Sequence, residues 1–333
     1  LSLSILHTAD WHIGCLRNKI PEYLDNQRKG LFELVEYAIQ KQPDVFVATG
    51  DLFDTSTPKE EERNLIVEAI SKLIISLPYC VFIFDEGNHD WNSYKESMLR
   101  SLDLSYLPCG SRINFVIHKE KLIKVKDSYF LCIPCQQKLT KKKIRKKVNK
   151  YIERVDGDFY VCLHECMKSR NDLGKEIGKE SLPRIKGVTA WLLGDVHKHQ
   201  FLLDNAWYCG SLMQTDFGER SGKGFVYIKD GEPKFIKLHS IKTLKTVVQG
   251  EKIPNPKRHF IRYIIKNSLS ISSEKGIEKV TCFTKQLVTT KPIEIGMTSV
   301  TDGLPTILSL KYGYSKKMQN KAVKYVNAIV KGE

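Results

Sequence analysis

Five apolar runs within the first 200 residues each end in a short polar cluster, and this pairing constrains the possible folds more than any other feature of the chain. In chain order the clusters are Asp10-Trp11-His12, Gly50-Asp51-Leu52-Phe53-Asp54, Gly87-Asn88-His89-Asp90, Leu163-His164-Glu165 and Gly194-Asp195-Val196-His197. The runs before them, such as Asp44–Thr49 and Val81–Phe84, have the length and the β-branched and aromatic content of buried strands. In an open α/β sheet the carboxyl ends of parallel strands share one edge, so clusters placed there converge.

The segments between the runs fit that scheme. From about Asp25 to Lys41 the apolar positions Leu31, Leu34, Val35, Ala38 and Ile39 recur with helical spacing. Thr57-Pro58-Lys59-Glu60 reads as the cap, proline and acidic first turn of a helix reaching about Ile75. The βαβαβ alternation predicts a sheet with helices on its faces. Strand-like segments then dominate: Asn114–Ile117, Leu122–Val125, Tyr129–Ile133, Phe159–Leu163, Ala190–Leu193, Phe201–Leu203, Trp207–Cys209, Gly224–Ile228 and Lys234–Leu238. This order predicts an α/β fold, an αββα two-sheet sandwich that closes near His239, over residues 1–245. Ile253-Pro254-Asn255-Pro256-Lys257 reads as a linker. A small α+β capping domain is expected over 257–300, with a strand at His259–Lys266, a helix and strand across Glu274–Lys285 and a strand at Pro292–Ile295. A C-terminal helical pair is expected over 302–333, its last helix, Lys316–Lys331, being amphipathic.

The N-terminal stretch before Asp10 is short, has no basic flank and runs straight into a motif, so it reads as a first strand rather than a signal peptide. No run approaches the roughly 20 apolar residues that cross a bilayer, and no membrane partner is expected. The nine cysteines are scattered, mostly in strand-like contexts, which favours reduced thiols and a cytoplasmic setting over a disulfide framework. Cys132-Ile133-Pro134-Cys135 has redox or zinc spacing but follows a strand and has no second CxxC, so buried structural thiols are the expectation. His7, His118, His239 and His259 stand singly and read as core or edge residues.

The cluster residues are carboxylates, imidazoles and one carboxamide, the donors that manganese, magnesium, iron or zinc accept. Two cations about 3.5–4 Å apart supply what phosphodiester hydrolysis needs: a nucleophile, charge neutralisation and help for the leaving oxygen. Such a pair repels, and Asp51 is the candidate bridging carboxylate. Asp10 and His12, on alternate positions of an extended chain, are expected to reach one ion. Asn88 is expected to offer a neutral oxygen to the other, with His164, Asp195 and His197 arriving from across the core. A rival register pairs His197 with His199; the end of the apolar run at Gly194 favours Asp195 and His197. The side chain of His89 is expected to diverge from Asn88 and to meet the substrate or protonate the leaving oxygen. Asp90 would orient that imidazole and Asp54 would support the Asp51 loop.

A formal charge of +15 fits either a polyanionic partner, nucleic acid being the simplest, or a solvated lysine-rich surface. Its densest run, Lys138, Lys141, Lys142, Lys143, Arg145, Lys146, Lys147 and Lys150, is the candidate DNA-backbone contact. It has no aromatic residue, so base stacking is not implied.

The motif series Asp10-x-His12, Gly50-Asp51-x-x-Asp54, Gly87-Asn88-His89-Asp90, His164 and Gly194-x-x-His197 resembles the calcineurin-like metallophosphoesterase superfamily. Three stretches, His7–Gly14, Gly50–Asp54 and Tyr208–Glu219 with its Gly-Ser turn and Phe-Gly-Glu segment, are similar to SbcD-type nuclease subunits of double-strand-break processing complexes, including phage recombination endonuclease subunits. The likeness spans roughly the first 240 residues. It implies Asp10, His12, Asp51 and His197 around one ion, Asp51, Asn88, His164 and Asp195 around the other, and His89 as the non-ligand catalytic histidine. It also implies manganese as the active ion, with magnesium as an alternative, in a DNA exonuclease and endonuclease of a bacterial or phage-infected cell. The partners it implies are an SbcC-type coiled-coil ATPase docked by the terminal helix, and a second copy, making a homodimer within a heterotetramer. The chain has no Gly-Lys-Ser/Thr phosphate loop, so ATP dependence would come from that ATPase. Two positions depart from the pattern: Asp195 stands where such subunits usually carry His, and Leu163 where Gly commonly precedes the histidine. A stand-alone phosphatase or small-molecule phosphodiesterase on the same scaffold is the alternative.

Overall fold

The computed structural model describes residues 3–92, 96–102, 112–135, 139–165, 182–248, 251–264 and 281–282. Two six-stranded sheets form its body. The first is built from β1 (Ile5–Thr8), β2 (Val45–Thr49), β3 (Val81–Asp85), β4 (Ile113–Val116), β11 (Gly224–Lys229) and β12 (Glu232–Lys237), in the order β12-β11-β1-β2-β3-β4. Strands β1 to β4 are parallel, and β11 and β12 close one edge antiparallel. The second contains β5 (Lys121–Val125), β6 (Ser128–Ile133), β7 (Asp158–His164), β8 (Ala190–Gly194), β9 (Gln200–Leu203) and β10 (Ala206–Tyr208), in the order β5-β6-β7-β8-β10-β9. Its middle strands β6, β7, β8 and β10 are parallel.

The period-2 alternation of a strand explains the layering. Phe130, Cys132, Tyr160, Cys162, Leu192 and Trp207 of the second sheet join one core with Ile5, Phe46, Val47 and Phe82 of the first. Their neighbours Leu131, Ile133, Phe159, Val161, Leu163, Trp191 and Leu193 point the other way and pack with Ile144 and Val148 of the helix α3 (Lys141–Ile152). On the outer face of the first sheet lie α1 (Tyr23–Lys41) and α2 (Glu60–Ser76). The result is the expected αββα sandwich, and truncating a central side chain such as Phe46 to Ala would cost about 3–5 kcal/mol.

Local chemistry sets the helix ends. The Glu62 carboxylate accepts the Lys59 N–H at 2.7 Å, and three glutamates in the first turn complement the helix dipole, so α2 begins after Lys59 and Thr57 is not its cap. Thr140 Oγ1 caps α3 by accepting the Lys143 N–H at 3.3 Å. The observed strands shift from the expected ones by one or two residues at their ends. A further strand, β13 (Thr243–Val248), continues past the expected close of the core and lies beside β14 (His259–Ile264) in a third, small sheet.

The chain divides into two compact units, Leu1–Val247 with Lys252–Arg262, and Val248–Glu251 with Tyr263–Glu333. The expected helix, the strand at Pro292–Ile295, the helical pair from Asp302 and the basic residue Lys138 lie outside the described residues. Among the described residues no helix is long and apolar enough to cross a membrane, and Cys15, Cys80, Cys132, Cys135, Cys162 and Cys209 are free.

Candidate metal centre

The loops that follow β1, β2, β3, β7 and β8 meet at the carboxyl edges of the two sheets, and all five polar clusters lie there. The backbone turns sharply to do this. Asp10, His12, Asp51 and Asp195 all have left-handed φ, at 51°, 44°, 54° and 80°. Non-glycine residues rarely hold that conformation, and cross-loop bonds enforce it: Asp10 N–H donates to Gly50 O at 3.1 Å and His12 N–H to Asp51 O at 3.0 Å. Gln27 of α1 clamps the same loop, donating to His12 O at 2.7 Å and accepting the Gly14 N–H at 2.9 Å. Asp10 and His12 therefore reach one donor group from a loop in which both have left-handed φ. They lie beyond the last residue of β1, so the alternation of an extended strand is not the cause.

Among the described residues, three groups of donors lie close enough together to hold a metal ion: Asp10, His12 and His197; His12, Asp51 and His89; and Asp10, Asp51 and His164. Asp51 stands at their centre. Its Oδ2 is 3.2 Å from His164 Nε2 and 3.6 Å from His12 Nε2, while its Oδ1 accepts the His89 N–H at 2.8 Å. A β-carbon at Gly87 would collide with the Asp51 carboxylate, and one at Gly50, whose φ is +82°, with the His164 ring, so both loops need glycine to close this tightly. Asp10, His12, Asp51 and His164 are buried, His197 and Asp195 half-buried, and Asn88 and His89 exposed at the mouth.

Hydrogen bonding decides which imidazole nitrogen faces the centre. His164 Nδ1 is 2.7 Å from the Thr49 carbonyl, which can only accept, so Nδ1 carries the proton. His164 Nε2 then presents a lone pair toward Asn88 Oδ1 at 3.1 Å and Asp51 Oδ2 at 3.2 Å. Three acceptors that converge without a donor between them fit a bound cation, and the mixture of carboxylate, imidazole and carboxamide fits a divalent one. His197 Nδ1 likewise faces the Glu219 carboxylate at 2.7 Å, and its Nε2 lies 3.1 Å from His12 Nε2.

The electrostatics follow this crowding. Burial pushes the Asp51 carboxyl up, but His164, His12 and His89 outweigh it and hold the group below its ordinary range. Burial lifts the Asp10 carboxyl against the pull of His164 and His197. Burial alone would depress His164 and His197. The carboxylates beside them reverse the sign: Asp51, Asp10 and Asp195 raise His164 well above its usual range, and Glu219 and Asp10 raise His197.

The remaining expected site residues divide. Asp195 stands further out, with Oδ1 3.8 Å from His164 Nε2, and its N–H donates to both Asp10 carboxylate oxygens at 3.1 and 3.2 Å. His199 is turned away: its Nδ1 lies 2.9 Å from Tyr208 O and its ring stacks on Phe235, so His197 is the histidine this loop sends to the centre. The His89 ring does not diverge fully; it meets the His12 ring edge-on with centroids 4.8 Å apart, and its Nδ1 lies 2.6 Å from Asp54 O. Asp90 has a different task from the one expected. Its carboxylate accepts the backbone N–H groups of Asp51, Gly87 and Phe53 at 2.8, 3.0 and 3.1 Å, tying two loops together, and no bond to the His89 ring is among these. The Asp54 carboxylate lies 3.3 Å from His12 Nδ1. Lys141, Lys142, Lys143, Arg145 and Lys146 are exposed on α3; Lys147 is half-buried and bonded to Glu120 at 2.6 Å. Thr49, Gln27 and Lys223 carry no motif of their own, while Thr215 lies within the Tyr208–Glu219 stretch. Glu219 sits in the Phe-Gly-Glu stretch, the one signal that pointed near it.

An αββα sandwich with acidic and imidazole donors massed at its strand ends defines an α/β metallohydrolase. The chain belongs to the calcineurin-like phosphoesterase family, whose sequence model matches residues 3–199. Phosphoester hydrolysis with divalent metal ions is the chemistry of that family. A stretch of 88 residues is 39% identical to the SbcD subunit of the SbcCD nuclease of Staphylococcus epidermidis and covers 26% of this chain and 23% of that protein. The match thus spans about a quarter of that relative's length. Among solved structures, TT1561 of Thermus thermophilus has 13% identity and a TM-score of 0.44, with 71% of this chain and 99% of that chain covered. A dimetal phosphatase from Danio rerio has 10% identity and a TM-score of 0.42, with 68% and 91% covered.

Proposed function

We propose that the protein is a two-metal DNA nuclease of the SbcD type. The observation that carries the two-metal part is the position of Asp51 Oδ2 between His164 Nε2 at 3.2 Å and His12 Nε2 at 3.6 Å, where one carboxylate can serve two ions. In this reading Asp10, His12, Asp51 and His197 hold one ion, and Asp51, Asn88, His164 and Asp195 the other. Manganese is the proposed ion, since hard oxygen donors mixed with imidazole suit it. When bound, the pair supplies charge neutralisation at the phosphoryl group and an activated water.

The chain's own residues do the rest. His89 Nδ1 donates to Asp54 O at 2.6 Å, which leaves Nε2 at the exposed mouth of the site. Burial would lower this imidazole's affinity for protons, but the Asp51 charge and the Asp54 carbonyl outweigh it and raise its pKa. His89 is therefore held ready to donate from Nε2 to a phosphoryl or leaving-group oxygen. Asp90 keeps the Asp51 and Asn88 loops in register through three backbone amides.

DNA as the substrate rests on charge, topology and the nuclease stretch in the Staphylococcus relative. The crossover β6–α3–β7 joins parallel neighbours, so α3 runs back against the strands and its first turn lies at their carboxyl edge. Lys147 reaches Glu120, which directly precedes β5 and is thereby level with the carboxyl end of β6. The lysine-rich first turn is thus on the edge that carries His164, suited to a strand extending from the centre. The likeness to SbcD-type subunits supports an SbcC-type ATPase partner and a dimer of this chain in the cytoplasm.

The test is cleavage of end-labelled duplex and single-stranded DNA by purified protein with manganese or with EDTA, beside Asp51→Asn. Manganese-dependent cleavage that vanishes in the variant is expected. Asp51-dependent hydrolysis of a small phosphodiester, with no DNA cleavage alone or with the ATPase, would overturn the nuclease reading.

A further inference from the structure

Behind His197, on the side away from the metal centre, the sandwich buries a charged network that phosphoester chemistry does not itself require. Lys223 is only 3% exposed. Its ammonium donates to Glu219 Oε2 at 2.7 Å, to Ser211 Oγ at 2.6 Å and to the backbone carbonyl of His197 at 2.9 Å. The other Glu219 oxygen, Oε1, accepts from His197 Nδ1 at 2.7 Å and from Thr215 Oγ1 at 2.8 Å. His197 is therefore held at both ends, its carbonyl by the lysine and its ring by the carboxylate that the same lysine neutralises.

We infer that Glu219 and Lys223 are positioning residues that set the tautomer and ring plane of His197. A carboxylate can only accept, so Nδ1 keeps its proton and Nε2, which faces His12, is the nitrogen left to meet a cation. A carboxylate also sharpens the basicity of a ligating imidazole through its other nitrogen. Burying a lone charge is costly, and the Lys223 ammonium, 2.7 Å from Glu219 Oε2, supplies the opposite one.

The inference rests on His197 being a metal ligand, and the experiment separates failure of that reading from failure of this one. Manganese is titrated into metal-free full-length protein, with free ion counted by electron paramagnetic resonance, for the wild type, Glu219→Gln, Lys223→Met and His197→Ala. His197→Ala is expected to lose one of two bound ions. Glu219→Gln is expected to bind that ion about 10- to 100-fold more weakly while holding the other normally, with a smaller loss in Lys223→Met. If His197→Ala keeps both ions at wild-type affinity, the ligand reading fails and the inference with it. If His197→Ala loses an ion and Glu219→Gln does not weaken it, the brace alone fails. Nitrogen-15 spectra of metal-free wild-type protein decide the matter without a variant. A His197 imidazole protonated at Nδ1 is expected, and one protonated only at Nε2 would overturn the inference.

Discussion

The Nε2 atoms of His12 and His197 lie 3.1 Å apart, although the two residues are separated by 185 positions in the chain. Two imidazole lone pairs at that distance repel, so either a proton or a cation must sit between them. The carboxylates around His164 and His197 outweigh burial and raise the proton affinity of both, so protons compete with a cation for these nitrogens. Metal loading must displace such protons, so affinity falls as the pH falls. Calorimetric titration with manganese in two buffers of different ionisation enthalpy should show release of at least about one proton per protein near pH 7. Equal heats in both buffers would contradict this.

Gly87 packs against the carboxylate and backbone of Asp51 with no room for a methyl group. Gly87→Ala must push the Asp51 loop outward, away from the position between His12 and His164. A shift of about 1 Å in reacting groups costs on the order of 100-fold in rate. Turnover of a small phosphodiester should fall at least that far while the circular dichroism spectrum stays that of the wild type. Unchanged turnover would mean the loop has slack that the packing does not indicate.

His7 is buried in the core with Nε2 2.9 Å from Thr49 Oγ1, and burial takes its pKa down to about 3. Below pH 6.5 the unfolded chain binds a proton there that the folded chain refuses, so this contribution is fully present above 6.5 and is lost as the pH falls toward 3. Between pH 7.5 and pH 5 the loss from this group alone is about 2 kcal/mol. Urea unfolding of metal-free protein should show a loss larger by roughly that amount in the wild type than in His7→Gln. Identical acid sensitivity of the two would remove His7 as a cause.

Lys141, Lys142 and Lys143 form an exposed first turn of α3, and that turn itself contains no acidic residue. Their replacement by Gln should relieve that end of the helix and weaken binding to duplex DNA. The slope of log affinity against log salt should drop by roughly one for each phosphate no longer neutralised. Hydrolysis of a small phosphodiester should stay within about two-fold of the wild type, since nothing at the centre is touched. A salt slope unaffected by the triple change would move the DNA path elsewhere on the surface.

Much of this protein is legible from residue types in order. Apolar runs of strand length, each closed by Asp, Asn or His, determine an α/β body with its donors at strand ends, because buried parallel strands must read as continuous apolar segments and must end where the chain turns out of the core. The choice of His197 over His199 needed only the strand end at Gly194. Orientation is what local spacing does not contain. That His164 offers Nε2 follows from the carbonyl of Thr49, 115 positions earlier, and that His197 does so follows from Glu219. The left-handed turns at Asp10, His12 and Asp51 come from bonds between loops. Asp90 braces two amides of the neighbouring loop and one of its own, a task that adjacency to His89 hid. Donor identity is a property of single residues, whereas tautomer, ring plane and loop conformation are set by hydrogen bonds between residues that only the folded chain brings together.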